Sequence, residues 1–531
     1  MTDVGWSQRV SAGLARWPGL VLLALVLPLL LLGWGQASPM PHDEGYYALQ
    51  GRWMLETGDW LTPYWWDQPV FDRAIGAQWL IALSYRLFGY GNVQAHLPSL
   101  GAAIATVLLT FAIGRQLLPR RIAWVGALIL ALTPLWVSYA HLATQDMLLL
   151  AIELAGIYGL VRSGERSPLW SGLAGTSIGL AFWIKGFMVA VPVLALLPYV
   201  WVARRSLLKR PAFWAGLGLG WLPVLLWLQI SLQRWGLPVV AGLLDKMFLL
   251  SKVKQDAPLH ALPWYYYLWN VPANAAPWSL LVPLGGWRVA TDAPTETPQA
   301  GKGWLLLGYP LALLLLLSLF NTKTPYYGLQ LMPFLALLSA VGLTHLVQYP
   351  QWTGSVCIRR GTVGLALVLL FGTLLLGTGL IPLQPSSLVV PITLAAGLIG
   401  VSWLVLLRAR TPARQLACWF TGPWLALVLA GQLSLWTDHE PALLQGLAAI
   451  AQPLQQSVVD FRGPLQETRA NQQAIVLALA APQLGRRLDE TAPLRGLTWQ
   501  SPEVSRPPDG SVILATLDGW TLLAPDASQH P

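Results

Sequence analysis

The chain has 531 residues, of which 55% are hydrophobic and only 11% are charged. Soluble globular domains carry about 25% charged residues, so this composition excludes an ordinary soluble protein and indicates a surface that contacts lipid. The formal net charge of +9 is better explained by membrane topology and anionic lipid than by nucleic acid, since no basic cluster is interleaved with exposed aromatic residues.

Apolar runs of roughly 20 residues, each long enough to cross a hydrocarbon core of about 30 Å, recur along most of the chain. The sequence therefore predicts an all-α polytopic membrane protein with about 13 transmembrane helices. The predicted spans lie near residues 18–36, 96–116, 121–140, 146–162, 169–186, 187–203, 211–232, 264–287, 304–320, 326–347, 362–382, 387–408 and 415–436. No convincing small-residue cleavage site follows the run Leu20–Trp34, so we expect it to remain as the first span.

Basic residues concentrate in alternate connections, which sets the expected orientation in the membrane. They are Arg9 and Arg16; Arg115, Arg120 and Arg121; Arg162 and Arg166; Arg204, Arg205, Lys209 and Arg210; Arg359 and Arg360; and Arg408, Arg410 and Arg414. We expect these connections in the cytoplasm and the others on the opposite, outer side of the membrane. Cys357 and Cys418 lie at or near the cytoplasmic side, so no disulfide is expected.

Two parts of the chain are expected outside the membrane. The connection 37–95 is the first outer loop of a membrane domain 1–437, and it contains helix-like stretches at Glu44–Leu55 and Ala74–Phe88, the second suited to the interface. Polar residues become frequent after this domain, so 438–531 is predicted to be a small soluble extracytoplasmic α/β domain. Its predicted elements are a helix near 441–456 and strands at Ala474–Leu479 and Ser511–Leu517.

A second outer connection, 233–263, departs from the orientation rule because it places three lysines outside. Its ionisable residues are Asp245, Lys246, Lys252, Lys254, Asp256 and His260. A basic patch on the outer side suggests an anionic ligand.

Three acids are candidates for catalysis at the outer rim. Asp43 and Glu44 follow the first span, and Asp146 begins the fourth. An acid at a helix N-terminus is favoured by the helix dipole, which explains Glu44 well and Asp43 less well. For Asp146, the ordinary explanation is that it caps the start of its helix. Alternatively, two carboxylates on one side of the membrane form a site in which one takes a proton from an acceptor hydroxyl while the other orients it.

Three cations come from separate connections on the same outer side, namely Arg73, Lys185 and Lys323. Each taken singly is explained as a cation reaching from the membrane to water. Together they suit a phosphate or pyrophosphate, because arginine offers a planar fork and lysine a point charge. His260 with Asp72 provides two potential ligands for a metal ion, which is weak support for a metal site.

Several segments occur in a particular order along roughly the first 350 residues. They are Asp43-Glu44-Gly45-Tyr46-Tyr47-Ala48, Gly58-Asp59-Trp60-Leu61-Thr62-Pro63, Phe71-Asp72-Arg73, Leu83 to Gly89, Gln145-Asp146-Met147, Ile184-Lys185-Gly186, His260 before Pro263-Trp264-Tyr265-Tyr266, and Lys323-Thr324-Pro325-Tyr326-Tyr327. In this order they resemble the membrane glycosyltransferases of the GT-C fold that use polyprenyl-phosphate sugars. The branch contains lipid A aminoarabinose transferases and bacterial relatives of protein O-mannosyltransferases.

The resemblance implies inverting transfer of a sugar from a polyprenyl phosphate to a lipid or protein acceptor on the outer face. By analogy, Asp43 would be the base, with Asp146 as its partner and Glu44 as a further catalytic candidate. The residues implied to hold the departing phosphate are Arg73, Lys185, Lys323, Tyr46 and Tyr326. Asp72 and His260 match positions associated with a divalent cation in some relatives, so a zinc, magnesium or manganese ion is the cofactor that the resemblance implies.

The sequence departs from the family pattern after Phe71. The family usually has Phe-Glu-Lys-Pro-Pro at this place, whereas this chain has Phe71-Asp72-Arg73-Ala74-Ile75. Arginine keeps the positive charge, but the absence of both prolines predicts a different loop geometry and leaves room for a different substrate preference.

Two other functions compete with a transferase. A transporter or flippase for an anionic lipid-linked substrate should carry ionisable residues or broken helices near the bilayer midplane, whereas the charges here concentrate at one rim. A non-catalytic membrane scaffold predicts that Asp43→Asn and Asp146→Asn leave function intact. The sugar and the acceptor are not determined by the sequence.

Overall fold

The structure is a computed structural model, and it describes most of the chain. The described residues are 16–35, 39–66, 68–164, 167–251, 262–291, 300–383, 388–433, 439–450, 454, 457–463, 469–504 and 506–526.

Helices make up most of the described chain. In the first half they are α1 (Pro18–Leu31), α2 (Tyr46–Thr57), α3 (Gly76–Phe88), α4 (Asn92–Leu117), α5 (Arg120–Ala131), α6 (Pro134–Ala140), α7 (Gln145–Arg162), α8 (Pro168–Lys185), α9 (Ala190–Ala203), α10 (Pro211–Trp235) and α11 (Pro238–Ser251). In the second half they are α12 (Tyr266–Asn274), α13 (Val282–Thr291), α14 (Ala300–Gly303), α15 (Tyr309–Leu319), α16 (Met332–Gln348), α17 (Thr353–Gly377), α18 (Val389–Leu404), α19 (Pro412–Gln432), α20 (Pro441–Ala449) and α21 (Arg469–Ala480).

The apolar helices agree with a multi-pass membrane protein. Among the described residues, seven helical segments are long and apolar enough to cross a membrane, or eight if α5 and α6, bent by 64°, form one span. This number is smaller than the predicted count of about 13. The length and composition of the helices therefore do not confirm that count. Each predicted span nevertheless overlaps one or more helices. Helix α7 carries Asp146, Glu153 and Arg162. It therefore has more charged residues than the helices counted as apolar spans.

The long segment Pro168–Ala203 reverses direction near its middle. Arg204, directly after α9, donates from Nε to Leu160 O at 3.3 Å and from Nη2 to Val161 O at 2.8 Å. Both acceptors lie in the last turn of α7, close to where α8 begins. Because α9 returns to the end from which α8 started, Lys185 and Gly186 lie at the far end of this helix pair.

Small residues hold α8 against α10. A Cβ atom on Gly220 would lie 2.2 Å from Thr176 O, and one on Gly179 would lie 2.2 Å from the carbonyl carbon of Gly220. Such close backbone approach between membrane helices requires small residues. The glycines therefore fix the position of α8 and of Lys185 at its end.

The C-terminal part contains a five-stranded mixed sheet. Its strands are β3 (Val458–Arg462), β4 (Gln483–Leu488), β5 (Leu497–Gln500), β6 (Ser511–Leu517) and β7 (Trp520–Pro525), and their order is β4-β3-β5-β7-β6. Strand β3 is parallel to β4 and β5, whereas β7 is antiparallel to β5 and β6.

The prediction of a strand at Ser511–Leu517 is confirmed, but the one at Ala474–Leu479 is wrong, because this run lies in helix α21. Its residues 474–478 are at most 1% exposed. A short apolar run buried on all sides looks the same in a strand and in a buried helix, and alanine and leucine favour the helix.

The first outer loop packs on this C-terminal part. Leu49 and Trp53 of α2, with Trp66, share one hydrophobic core with Trp499 and Trp520 of the sheet. Trp66 follows β1 (Tyr64–Trp65), which pairs with β2 (Gln68–Pro69). The loop that carries the candidate acids is therefore held between the membrane helices and the sheet.

Candidate functional site

A cavity of about 160 Å³ brings together residues from separate parts of the chain. The polar residues and tyrosines that line it are Asp43, Tyr47, Asp72, Arg73, Gln145, Asp146, Lys185, Tyr326 and Tyr327. They come from the first outer loop, the start of α7, the end of α8 and the 3₁₀ helix Pro325–Leu331. Several residues singled out in the sequence, hundreds of positions apart, thus meet at one place.

Asp43 lies in a π-helical turn, Pro41–Gly45, that leads directly into α2. The turn is closed by a hydrogen bond from Gly45 N to Met40 O at 3.0 Å. Burial raises the pKa of the Asp43 carboxyl above its ordinary value, and the Asp146 carboxylate raises it further, against the opposing effect of Arg73 and Lys185. A carboxylate with a raised pKa is a stronger proton acceptor than an ordinary aspartate.

Asp146 and Lys185 form an ion pair across the cavity. Both side chains are largely buried, with 13% and 14% of their surface exposed. The ammonium of Lys185 also lies 4.6 Å from the centre of the Tyr326 ring, an arrangement that favours a cation over an aromatic face. The first turn of α7 thereby meets the last turn of α8.

Arg73 is held by three neighbours. Its Nε donates to Asp72 at 3.0 Å and its Nη1 donates to the Tyr47 hydroxyl at 2.8 Å, while the guanidinium carbon lies 4.3 Å from the Tyr46 ring centre. The Tyr46 hydroxyl donates to Asp72 at 3.0 Å. Burial and the neighbouring Asp72 raise the pKa of Tyr46, so this hydroxyl remains a donor. The network presents a fixed guanidinium to the cavity.

Glu44 has a different environment from Asp43. It is 1% exposed and does not appear among the residues that line the cavity. Its Oε1 accepts from Ala143 N at 2.8 Å and lies 2.6 Å from His96 Nε2, and its Oε2 accepts from Met40 N at 2.7 Å. Burial alone would raise the pKa of Glu44, but His96 and the two backbone donors lower it below the usual value.

Lys323 lies close in sequence to residues that line the cavity, but it does not line the cavity itself. Its side chain is 3% exposed, and its Nζ donates to Phe320 O. Three residues later, Tyr326 does line the cavity.

The proposed metal ligands are only partly described. His260 lies outside the described residues. Both oxygens of Asp72 are engaged, one by Tyr46 and the other by the cation Arg73. Within the described part of the chain, no group of three histidine, cysteine, aspartate or glutamate residues is placed to hold a metal ion. The metal site therefore stays a prediction, since one of its two proposed ligands lies outside the described residues.

Sequence reasoning missed two tyrosines of the cavity lining and one buried acid outside it. Tyr47 and Tyr327 line the cavity, as does the predicted Tyr326, whereas the predicted Tyr46 does not. The repeated Tyr-Tyr pairs were the available signal. Glu153 lies seven residues after Asp146 on α7, is 9% exposed, and accepts from Gln330 Nε2 at 2.8 Å. An acid inside an apolar helix is itself a signal for function.

Comparisons with known proteins identify the family of the chain. Residues 72–228 match the family described as dolichyl-phosphate-mannose-protein mannosyltransferase. Two relatives from Pseudomonas fluorescens are undecaprenyl phosphate-alpha-4-amino-4-deoxy-L-arabinose arabinosyl transferases 1 and 2. The first is 30% identical over 76% of this chain and 75% of its own length, and the second is 30% identical over 60% and 54%. The chain thus spans about half the length of the second relative and three quarters of the first.

A solved structure shares the fold over nearly the whole chain. The crystal structure of ArnT from Cupriavidus metallidurans bound to undecaprenyl phosphate superimposes with a TM-score of 0.76 at 20% identity, covering 96% of this chain and 99% of that one. This likeness shows the GT-C fold. With the sequence relatives, it places the chain in a family: it belongs to the polyprenyl-phosphate-sugar-dependent membrane glycosyltransferases that include the undecaprenyl phosphate aminoarabinose transferases.

Proposed function

We propose that this protein transfers a sugar, with inversion at the anomeric carbon, from a polyprenyl-phosphate donor to an acceptor on the outer face of the cytoplasmic membrane. The observation that carries the proposal is the cavity in which Asp43 and Asp146 lie together with Arg73 and Lys185. Two acids and two cations supply a proton acceptor and an anion site within one enclosed volume.

The cations suit the phosphate of the donor. As the bond between the sugar and the phosphate breaks, its electron pair moves to the phosphate oxygen and negative charge increases there. Arg73 is already fixed by Tyr47 and Asp72, so it stabilises this charge without reorganising. Lys185 is paired with Asp146 and exchanges part of this pairing for phosphate oxygens. Tyr46 supports Arg73, and Tyr326 supports Lys185.

Asp43 suits the base. In the transfer step, an acceptor hydroxyl loses its proton to Asp43 while its oxygen forms a bond to the anomeric carbon on the side opposite the phosphate. A single displacement of this kind inverts the carbon. Asp146 raises the pKa of Asp43 and thereby increases its affinity for the proton.

Glu44 and Lys323 take supporting parts in this proposal. The three contacts described for Glu44 and its absence from the cavity lining favour a structural function over the catalytic one expected from sequence. Lys323, bound to Phe320 O, supports the turn that carries Tyr326.

The membrane arrangement belongs to the same proposal. The reversal between α8 and α9 adds a span to any count that treats Pro168–Ala203 as one helix, which raises the count of seven or eight by one. We propose an inner-membrane protein with the cavity and the 438–531 domain on the periplasmic or outer side. Its acceptor is a lipid such as lipid A, another glycolipid or a protein. The similarity to the arabinosyl transferases supports an aminoarabinose as the sugar of the donor.

A transporter of lipid-linked substrate has one observation in its favour, the buried Glu153 within α7. The two functions differ in outcome, because a transporter moves the donor intact whereas a transferase breaks its sugar–phosphate bond.

The test uses purified full-length protein in lipid nanodiscs. Undecaprenyl-phosphate sugars are supplied with lipid A, with mixed membrane lipids or with secreted protein, and products are identified by mass spectrometry. We expect a glycosylated acceptor and free undecaprenyl phosphate in equal amounts, and neither from Asp43→Asn. Intact donor with every acceptor, from protein that binds the donor, would overturn the proposal.

A further inference from the structure

A second and larger cavity lies between the first outer loop and the C-terminal sheet. Its volume is about 970 Å³. Its lining includes Trp53, Tyr64, Trp66, Tyr90, Glu56 and Arg486. We call this cavity the aromatic cleft. The cavity that contains Asp43 and Asp146, which we call the reaction cavity, is separate from it and shares no lining residue with it.

We propose that the aromatic cleft binds a sugar ring of the acceptor, next to the ring that reacts. The inference rests on the proposed function, because it names the class of acceptor that the transferase uses. It implies an acceptor with at least two linked sugars, of which one enters the reaction cavity while its neighbour occupies the cleft.

The lining chemistry favours a carbohydrate. Sugar rings present flat C–H surfaces that pack on aromatic faces and hydroxyl groups that need polar partners, and the cleft provides both. Tyr90 is 47% exposed, so its ring is available to a ligand. Glu56 and Arg486 add a carboxylate and a guanidinium. A pocket with aromatic walls and a few polar groups fixes the orientation of a small ligand.

Trp66 gives an independent indication of a ligand. Its side chain is 5% exposed, yet its indole N–H has no hydrogen-bond partner among the described residues. Buried tryptophan N–H groups usually find an acceptor. The backbone at Trp66 has φ of 54°, which is uncommon for a bulky residue. A sugar hydroxyl in the cleft would supply the missing acceptor.

Neighbouring aromatic rings lie between the cleft and the reaction cavity. The ring of Tyr46, whose hydroxyl binds Asp72 in the lining of the reaction cavity, lies 4.7 Å from that of Trp65. The Trp65 ring in turn lies 6.0 Å from the ring of Trp66, which lines the cleft. A series of direct contacts therefore joins the linings of the two cavities.

A peptide is the competing occupant, because β4 is an edge strand of the sheet and borders the cleft. Edge strands accept peptides through unpaired backbone groups. Here the N–H of Leu484 already donates to Glu56 Oε2 of α2 at 3.0 Å. This backbone donor of β4 is occupied, which favours a saccharide over an added strand.

The first arm of the test measures binding directly. Saturation-transfer NMR on the full-length protein in detergent compares N-acetylglucosamine, its β-linked tetrasaccharide and a neutral hexapeptide. We expect the tetrasaccharide to bind, the hexapeptide not to bind, and Tyr90→Ala or Trp66→Phe to weaken tetrasaccharide binding at least fivefold. Binding of the hexapeptide instead, or tetrasaccharide binding that neither variant changes, overturns the inference.

The second arm measures transfer to the acceptor found in the functional assay. Tyr90→Ala and Arg486→Ala should raise the KM for acceptor at least fivefold, with the donor KM and kcat unchanged. The matched controls are Tyr349→Ala, an exposed tyrosine elsewhere (54% exposed), and Arg487→Ala, the exposed next residue on β4 that does not line the cleft. Equal acceptor KM in cleft and control variants overturns the inference while transfer itself stands. If no acceptor is glycosylated, the proposed function fails and the binding arm still decides the inference.

Discussion

Neighbouring acids Asp43 and Glu44 differ in what surrounds them. Asp43 lines a cavity with Asp146, Arg73 and Lys185, whereas Glu44 is buried against His96 and two backbone N–H groups. Adjacent residues in a helical turn point in different directions, so one side chain enters the cavity and the other enters the protein. The sequence indicated Asp43 as the better catalytic candidate but could not show what holds Glu44.

At the residue scale, Asp43→Asn should lower the transfer rate by about 10²–10⁴-fold, the usual contribution of a positioned base. Because the pKa of Asp43 is raised, the folded protein favours the protonated carboxyl, and the stability this adds at acidic pH is lost as pH rises through the raised pKa. Asparagine removes the buried charge, so the variant should unfold at the same temperature or higher at pH 7. Rate and thermal unfolding measured together check this, and a variant that keeps its rate would contradict the assignment of the base.

The same raised pKa predicts the pH dependence of wild-type activity. The base must be ionised, so the rate should fall on the acid side at a higher pH than the ordinary pKa of aspartate would give. A rate profile between pH 4 and pH 9, with protein shown to stay folded, measures this limb. A limb at the ordinary position of aspartate would mean that another group takes the proton.

Glu44→Ala should act on folding. Removing one partner of a buried ion pair costs about 3–5 kcal/mol, since His96 and two backbone donors would lose their acceptor. We expect a clear fall in the unfolding temperature, against no change for the exposed Glu490→Ala. If Glu44→Ala unfolds at the wild-type temperature and has lost transfer, then Glu44 belongs to the catalytic groups after all.

At the element scale, the reversal between α8 and α9 positions Lys185. Gly186 has φ of 58° and ψ of −139°, a conformation that side chains rarely adopt, yet a Cβ atom there would meet no atom within 4 Å. Gly186→Ala therefore tests the backbone alone, with a strain cost of roughly 1–3 kcal/mol. We expect a higher KM for donor, because Lys185 is the preceding residue. Gly218→Ala, also without close neighbours and in a helix, is the control, and an equal donor KM in both would rule out this effect.

Helix α2 is joined to the C-terminal part by Arg52, which is 2% exposed. Its guanidinium donates to Ala478 O, Leu479 O and Pro482 O, at the end of α21 and just beyond it, and to Glu56. Bonds from a charged donor contribute about 1.5–3 kcal/mol each, so Arg52→Leu should speed amide exchange in α21 and β4 at least tenfold. Exchange measured by mass spectrometry should stay unchanged in α16. Faster exchange throughout the protein would indicate global unfolding instead.

At the scale of the whole molecule, orientation is the quantity to measure. Cys357 is exposed and lies beside the basic residues Arg359 and Arg360, so it should face the cytoplasm. In intact spheroplasts, a membrane-impermeant maleimide should not label Cys357 in Cys418→Ser protein. It should label Glu503→Cys, in the exposed turn after β5, in protein lacking both native cysteines. The opposite labelling pattern would invert the proposed topology and place the reaction cavity on the cytoplasmic side.

The sequence by itself determined the class of the molecule and much of the cavity lining. Low charge and repeated apolar runs require a membrane protein, and the ordered motifs from Asp43 to Tyr327 indicated the family and most of the polar cavity residues. Local patterns carry this information because the length of a span and the charge of a motif are properties of short segments.

Only the tertiary structure decided which of these groups meet. It separated Asp43 from Glu44, left Lys323 outside the cavity, paired Lys185 with Asp146, and turned the apolar run after Ala474 into a helix. It also formed the aromatic cleft from a loop and a sheet about 400 residues apart in sequence. The physical reason is that contacts between distant segments depend on how whole helices pack, and this packing rests on glycines and buried side chains whose neighbours cannot be identified from one sequence.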